Sequence, residues 1–213
     1  MRTLRLRSGQ ALIIAALMGT ALVAAPALQA TQESHPSSSL ERPFVANGRI
    51  NMDLSAGDYR ISGTPDKRIR LEWSVRDSDQ LAKVKMRADV SGSAATISTD
   101  APTNSNLRVT IQVPARTDLY VRLTAGDMTI ERIEGNKDIE AHAGDLNIDV
   151  IRAEDYHTVD ASIWAGDITA RPFNITKEGL FRSFDWKGHG PYRLHAHLKA
   201  GDLRLFSKLA EQQ

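Results

Sequence analysis

The sequence predicts an all-β chain that winds or folds back in similar coils, and three observations carry that reading. The tripeptide Ala-Gly-Asp recurs five times, at 56–58, 125–127, 143–145, 165–167 and 200–202. Between the copies, apolar and polar residues alternate with the period of 2 that a half-buried strand requires. No convincing amphipathic helix follows residue 44, and Asp79 to Lys85 is the only candidate for a short helical turn.

The five copies read Leu-Ser-Ala-Gly-Asp-Tyr-Arg-Ile, Leu-Thr-Ala-Gly-Asp-Met-Thr-Ile, Ala-His-Ala-Gly-Asp-Leu-Asn-Ile, Ile-Trp-Ala-Gly-Asp-Ile-Thr-Ala and Leu-Lys-Ala-Gly-Asp-Leu-Arg-Leu. A large apolar residue follows each Asp, and an aliphatic residue stands two further on in all but the copy ending at Ala170. Successive copies are 69, 18, 22 and 35 residues apart, and an internal period near 20 marks a coiled or back-folded repeat. Gly permits the positive φ of a sharp bend. Asp can bond its own backbone two residues on and hold that bend. Gly57, Asp58, Gly126, Asp127, Gly144, Asp145, Gly166, Asp167, Gly201 and Asp202 are therefore expected as structural turns, each followed by a strand.

Alternation places further strands. Ile50, Met52 and Leu54 share one face, as do Ile69, Leu71, Trp73 and Val75. Val84, Met86, Ala88 and Val90 form another set, and Leu107, Val109, Ile111 and Val113 stop at Pro114, which cannot continue a central ladder. Leu119, Val121 and Leu123 lead into the second repeat, and Leu194, Ala196 and Leu198 alternate with His195 and His197.

The ends of the chain have a different character. Arg2, Arg5 and Arg7 precede an apolar run from Ala11 to Ala25, and Pro26 to Ala30 closes with small residues. This is the layout of a signal peptide over 1–30, cleaved after Ala30; the alternative, an uncleaved anchor, has a run short of the ~20 residues a spanning helix needs. Residues 31–43, rich in Ser and Pro, read as a flexible linker. The folded domain is expected over 44–207, with a tail at 208–213. Export, to the periplasm or the cell surface, follows, with no stable transmembrane span after cleavage.

Composition narrows the function classes. The chain has 213 residues, no cysteine, and 27 basic against 26 acidic side chains. Without the three leader arginines the balance is 24 to 26, a net charge of −2, which gives no electrostatic case for nucleic acid. A lipid anchor on cysteine, a disulfide framework and a cysteine nucleophile are chemically excluded. No Gly-x-Ser-x-Gly elbow and no phosphate-cradling loop occurs.

The remaining candidates for chemistry each have a plainer reading beside them. The five repeat Asp residues can be turn caps, a calcium column, or acid pairs for glycoside hydrolysis, which needs carboxylates ~5–10 Å apart. His189, His195 and His197 can hold zinc or copper, or lie in solvent on a polar strand face. Phe181, Phe184, Trp186 and Tyr192 concentrate in a chain that is only 6% aromatic. They can plug an open end of the fold or form an interaction surface for glycan or protein. Turn caps, solvated histidines and an aromatic plug are the readings adopted, so no catalytic, cofactor-binding or metal residue is assigned and no cofactor is expected.

The series Ile-Gln-Val-Pro at 111–114, Leu-Tyr-Val-Arg-Leu-Thr-Ala-Gly-Asp-Met-Thr-Ile at 119–130, Ile-Glu-Gly-Asn at 133–136 and Ala-Gly-Asp-Leu-Asn-Ile at 143–148 resembles the bacterial putative-adhesin family of β-strand-repeat proteins, also called toastrack domains. The resemblance covers about 44 to 206 and is strongest from Leu107 to Thr169. It implies a right-handed single-stranded β-helix-like solenoid or two-sheet β-roll, exported and associated with the cell envelope. It further implies a non-catalytic role in adhesion, scaffolding or envelope-stress sensing, with envelope proteins or glycans as partners. The alternative class is a secreted polysaccharide-acting enzyme on a β-helix. The uneven repeat spacing and the segment 171–191 depart from strict coil regularity.

Overall fold

The structure, a computed structural model, describes residues 36–208. The expected signal peptide lies outside the described residues, as does all but the first residue of the expected tail.

In chain order, β1 (Ser37–Pro43) leads into β2 (Gly48–Leu54), the first Ala-Gly-Asp corner and β3 (Asp58–Thr64). β4 (Arg68–Ser74), the one-turn helix α1 (Ser78–Leu81), β5 (Lys85–Ser91), β6 (Ala94–Asp100) and β7 (Arg108–Pro114) follow. β8 (Thr117–Leu123) and β9 (Met128–Glu131) flank the second corner, and β10 (Lys137–Ala143) and β11 (Leu146–Asp149) the third. The fourth corner lies inside one long strand, β12 (Tyr156–Ala170), which turns back as β13 (Ile175–Lys187). β14 (Tyr192–Ala200) and β15 (Leu203–Phe206) flank the fifth.

These strands join one 15-stranded sheet folded into two layers, an all-β solenoid rolled around one core. One layer runs β1-β4-β7-β3-β9-β11-β15-β12, and the other returns from β12 through β14-β10-β8-β2-β6-β5. β12 serves both, pairing β14 with its first part and β15 with its last. The pairs β6/β7, β2/β3, β8/β9, β10/β11, β14/β15 and the two parts of β12 are thus successive coils, parallel to their neighbours.

Period-2 alternation fills the interior with ladders of aliphatic side chains. Met52, Val121, Ile139, Ala196 and Ala161 lie in register across one layer, all inside. Ile61, Ile130, Ile148, Leu205 and Ala170 do the same across the other. Each fully buried Leu or Ile contributes roughly 1.5–3 kcal/mol relative to exposure, so every coil is held mainly by the two beside it.

Spatial order departs from chain order in two places, and both account for the uneven repeat spacing. The 69 residues between the first two copies hold the antiparallel strands β4 and β5, which cover the ends of the two layers, plus the coil β6/β7, which has no Ala-Gly-Asp. The 35 residues before the last copy hold β13, antiparallel along nearly the whole of β12. β14 and β15 then enter between the β10/β11 coil and β12.

Residues 37–43, expected within a flexible linker, form β1 instead, antiparallel to β4 from Ser37 opposite Ser74 to Pro43 opposite Arg68. Only Leu40 packs toward the core. An edge strand needs main-chain bonds on one side and little apolar surface, so polar composition does not disqualify it.

At the corners the coils come very close. A Cβ on Gly126 would lie 2.0 Å from the Gly57 carbonyl oxygen, one on Gly144 2.1 Å from that of Gly126, and one on Gly201 2.0 Å from that of Gly144. Gly126 and Gly144 also adopt φ of 108° and 117°, where side chains are strained. Gly57 has ordinary φ, and its Cβ would meet the Leu107 oxygen at 3.0 Å. Gly144→Ala is therefore expected to lose about 3 kcal/mol or more, from backbone strain and overpacking together. Gly57→Ala should lose less than about 1 kcal/mol. Urea unfolding of the two variants beside the parent checks this, and equal midpoints for both would contradict the corner geometry.

Candidate functional site

The repeat Asp residues form a ladder between coils. At four of the five corners the Gly N–H donates to the Ala carbonyl of the next coil, for example from Gly126 to Ala143 at 2.9 Å and from Gly144 to Ala200 at 3.0 Å. The residue after Asp donates to the next Asp carbonyl, as Met128 does to Asp145 at 2.8 Å. At three corners the Asp amide in between points to the preceding coil and meets a carboxylate there. Asp145 N–H donates to Asp127 Oδ1 at 2.9 Å, Asp202 N–H to Asp145 Oδ1 at 3.2 Å, and Asp167 N–H to Asp202 Oδ1 at 3.4 Å. The first corner adjoins the coil without the motif, so Asp58 N–H donates to the Leu107 carbonyl at 2.8 Å. The bond expected within each turn thus gives way to a bond between turns. Arg204 lies against the column, with Nη1 3.2 Å from Asp145 Oδ2 and Nη2 2.6 Å from Asp202 Oδ2. Asp127, Asp145 and Asp202 accept from main-chain amides and Arg204 neutralises the last two, which commits these three carboxylates to the scaffold and leaves them little ligand capacity for calcium or for acid catalysis.

The outward positions of the layer β4-β7-β3-β9-β11-β15-β12 carry a long concave surface. Glu72, Thr110, Arg60, Thr129, Asn147, Arg204 and Thr169 stand in register, one per strand. Six strand-to-strand steps of ~4.8 Å make this row roughly 29 Å long. A groove of about 860 Å³ opens at the β4 end, lined by Trp73, Arg60, Asp127 and Ser38 among others, and a second of about 430 Å³ opens at the β15 end. Thr129 borders both. The indole Nε1 of Trp73 is enclosed and makes no hydrogen bond. Arg60 Nη1 is held 3.0 Å from Glu131 Oε1.

The aromatic stretch divides into packed and displayed parts. Phe184 is buried, and Phe173 stacks against it at 5.7 Å and against Trp186 at 5.0 Å between ring centroids. Trp186 and Phe184 stand opposite the inward residues Val159 and Ala161, so both cover the core where the last coil ends. Tyr192 meets Tyr156 edge-on at 6.3 Å. Phe181 has φ of 50° and Gly179 φ of 102°, a local break in alternation that turns Phe181 outward, 77% exposed. Of the histidines, His195 and His197 share the outer face of β14, and His197 Nδ1 lies 2.9 Å from Ser162 Oγ.

No protein-family model matches the chain, and no curated protein matches it. Among solved structures it is similar to a putative cell adhesion protein from Clostridium sporogenes, with 13% identity, 81% of this chain and 100% of that chain covered, and a TM-score of 0.54. The likeness is one of fold. A putative adhesin from Bacteroides fragilis aligns over 81% of this chain and 98% of its own at 9% identity, with a TM-score of 0.28. One from Parabacteroides distasonis covers 80% of this chain and 70% of its own at 10% identity, with a TM-score of 0.26. The first supports the solenoid architecture; the other two superpose too loosely to add to it.

Among the described residues three buried charges, Glu131, Lys137 and Asp149, escaped the sequence reading, and Lys137 is the most deeply enclosed. Lys137 is 1% exposed and occupies an inward rung between Leu119 and Leu194. The signal was present: counting back by twos from Ala141 and Ile139 puts position 137 inside. Its Nζ donates to the Ile133 carbonyl at 2.8 Å and to Tyr156 Oη at 2.6 Å. Burial pulls its pKa down to about 8 against the opposing pull of Asp149 and Asp155, and burial pushes the Tyr156 phenol up. Because the folded pKa of this base is depressed, the folded state releases the proton first. Stability therefore rises with pH from about 8 toward 10, by on the order of 3 kcal/mol at most. Above about pH 10 the raised Tyr156 pKa reverses the slope, since the unfolded phenol ionises first. Urea midpoints measured from pH 7 to 10 should show the rise in the parent and not in Lys137→Met; a flat parent profile would contradict the buried charge.

Proposed function

We propose that this chain is an exported, non-catalytic binding protein of the cell envelope, whose polar sheet face takes an extended glycan strand. The row from Glu72 to Thr169, continuous between two grooves, is the observation that carries this reading. A polysaccharide offers hydroxyls at regular intervals, and hydroxyl, amide and guanidinium side chains standing one per strand offer matching donors and acceptors. Adhesion is the role named for the Clostridium sporogenes protein that shares the fold, and here it supports the reading without deciding it.

The enzyme alternative needs a free acid pair, and three of the five repeat carboxylates, Asp127, Asp145 and Asp202, are taken up as caps by corner amides. No helix among the described residues is long and apolar enough to cross a membrane. Export therefore rests on the leader pattern of residues 1–30. Fractionation with N-terminal sequencing should find a mature chain beginning near Thr31, and intact Met1 in the membrane fraction would refute cleavage.

Arg60→Ala with Asn147→Ala, both in the outward row, should weaken adsorption to peptidoglycan or other envelope polysaccharide by about 30-fold, some 2 kcal/mol. The same pair at Phe181 and Leu180 should leave adsorption unchanged. Thr129→Ala, which alters only the middle of the row, is expected to lose several-fold in affinity with an unchanged urea midpoint. Adsorption that survives the Arg60 and Asn147 changes but falls with Phe181 would move the binding surface to the β13 edge.

A further inference from the structure

The geometry points to a divalent transition-metal site of the zinc class on the other sheet layer, formed by Asp138 and Glu140 of β10 and His195 of β14. It lies on the layer opposite the polar row and does not depend on glycan binding. Parallel pairing places Asp138 beside His195, with Glu140 two residues further along the same outer face. One ligand atom from each of the three lies within 4.8 Å of the others. Zinc takes imidazole nitrogen at ~2.0–2.1 Å and carboxylate oxygen at ~2.0–2.2 Å, so side-chain rotations of about an ångström bring all three onto one ion. This set leaves an open coordination position, as three-ligand sites do.

Two further observations single this cluster out from ordinary surface acids. His195 Nδ1 is enclosed and has no hydrogen-bond partner, although a buried polar nitrogen normally finds one. Asp160 of β12 stands in register on its other side, Oδ1 3.7 Å from that nitrogen. That gap is too long for a hydrogen bond, so Asp160 adds negative charge beside the nitrogen without engaging it. Charge agrees. Arg122 holds Asp138 at 3.2 Å and Glu140 at 3.0 Å, so three carboxylates against one guanidinium leave two negative charges, which a dication neutralises. The sequence directs attention to His189 and His197, but His197 Nδ1 is engaged by Ser162, and the acids that complete the cluster come from a strand some 57 residues away, as Asp138 and His195 show.

Zinc chloride titrated into the metal-stripped full chain should bind at one equivalent and raise the melting temperature. Cobalt chloride should give a visible absorption band from the same site. His195→Gln and Asp138→Asn should each lower zinc affinity by at least about tenfold, the least that even groups behind metal ligands contribute, and remove the cobalt band. Arg122→Gln deletes the competing cation and should tighten zinc binding; were the carboxylates there for Arg122 alone, it would leave the affinity unaltered and so overturn the site. Absence of saturable binding in the parent would overturn it equally. So would an unchanged cobalt spectrum in His195→Gln, or loss of binding on His189→Ala, which would move the metal to the histidines.

Discussion

Everything in this fold hangs on the approach of one glycine to the next at the Ala-Gly-Asp corner. The carbonyl oxygen of each stacked Gly lies about where the following coil's Cβ would be, between 1.9 and 2.1 Å from it through the column Gly57, Gly126, Gly144, Gly201, Gly166. Coils can stack at strand spacing through the bend only if the corner has no side chain. Positive φ is a second demand at Gly126, Gly144, Gly166 and Gly201, and no other amino acid meets both. Asp follows from this geometry. A corner in which Gly and the residue after Asp bond forward leaves the Asp amide facing back. A short side-chain acceptor one coil earlier closes that gap without lengthening the turn.

The local parts of this scheme were legible in the residues. Five copies of one tripeptide announced the corners, and alternation through Ile50, Met52 and Leu54 or Leu119, Val121 and Leu123 announced the inward rungs. The order of the coils was not legible. Each coil presents an inner face of Leu, Ile, Val or Ala, so local sequence says that it will stack but not against which neighbour. Longer-range constraints decide it. The short turn at 171–174 folds β13 back along one edge of β12. Only the other edge of β12 remains for β14. The connection passes through Gly188 and Gly190, whose amides donate to the His157 and Tyr156 carbonyls. Their missing side chains leave room against Tyr156 and Asp155 backbone. The last coil is thereby led in between two earlier ones, which no repeat count could foretell.

The candidate sites were legible only in fragments, for a related reason. Trp73 keeps the inward position that alternation with Ile69 and Leu71 gives it and packs against the core, whereas Thr110, Thr129, Asn147 and Thr169 are unremarkable singly. They become a row only once strands far apart in sequence lie side by side. His195 was visible from its spacing to His197, whereas Asp138 is joined to it purely by the parallel register of β10 and β14. The aromatic segment illustrates the limit from the other side. Its composition marked it as unusual, yet Phe184 and Phe181 have opposite fates because of a backbone irregularity at Gly179 to Phe181.

A solenoid of this kind separates stability from recognition by residue parity. Inward positions are repeated, aliphatic and nearly interchangeable, and the corners are fixed by the glycine contact, so neither can vary without loss. Outward strand positions carry no such obligation beyond tolerating their neighbours across ~4.8 Å. Register then does the assembling: one residue per coil, chosen independently, yields a line of side chains along the stack. The polar row on one layer and the Asp138, His195 and Asp160 row on the other are two products of that rule. Lys137 marks its boundary, a charge on an inward rung that remains only because the Ile133 carbonyl and Tyr156 hydroxyl receive its protons. It follows that differences in binding among chains of this architecture should reside in outward residues of the middle coils, where substitution disturbs neither corner nor core.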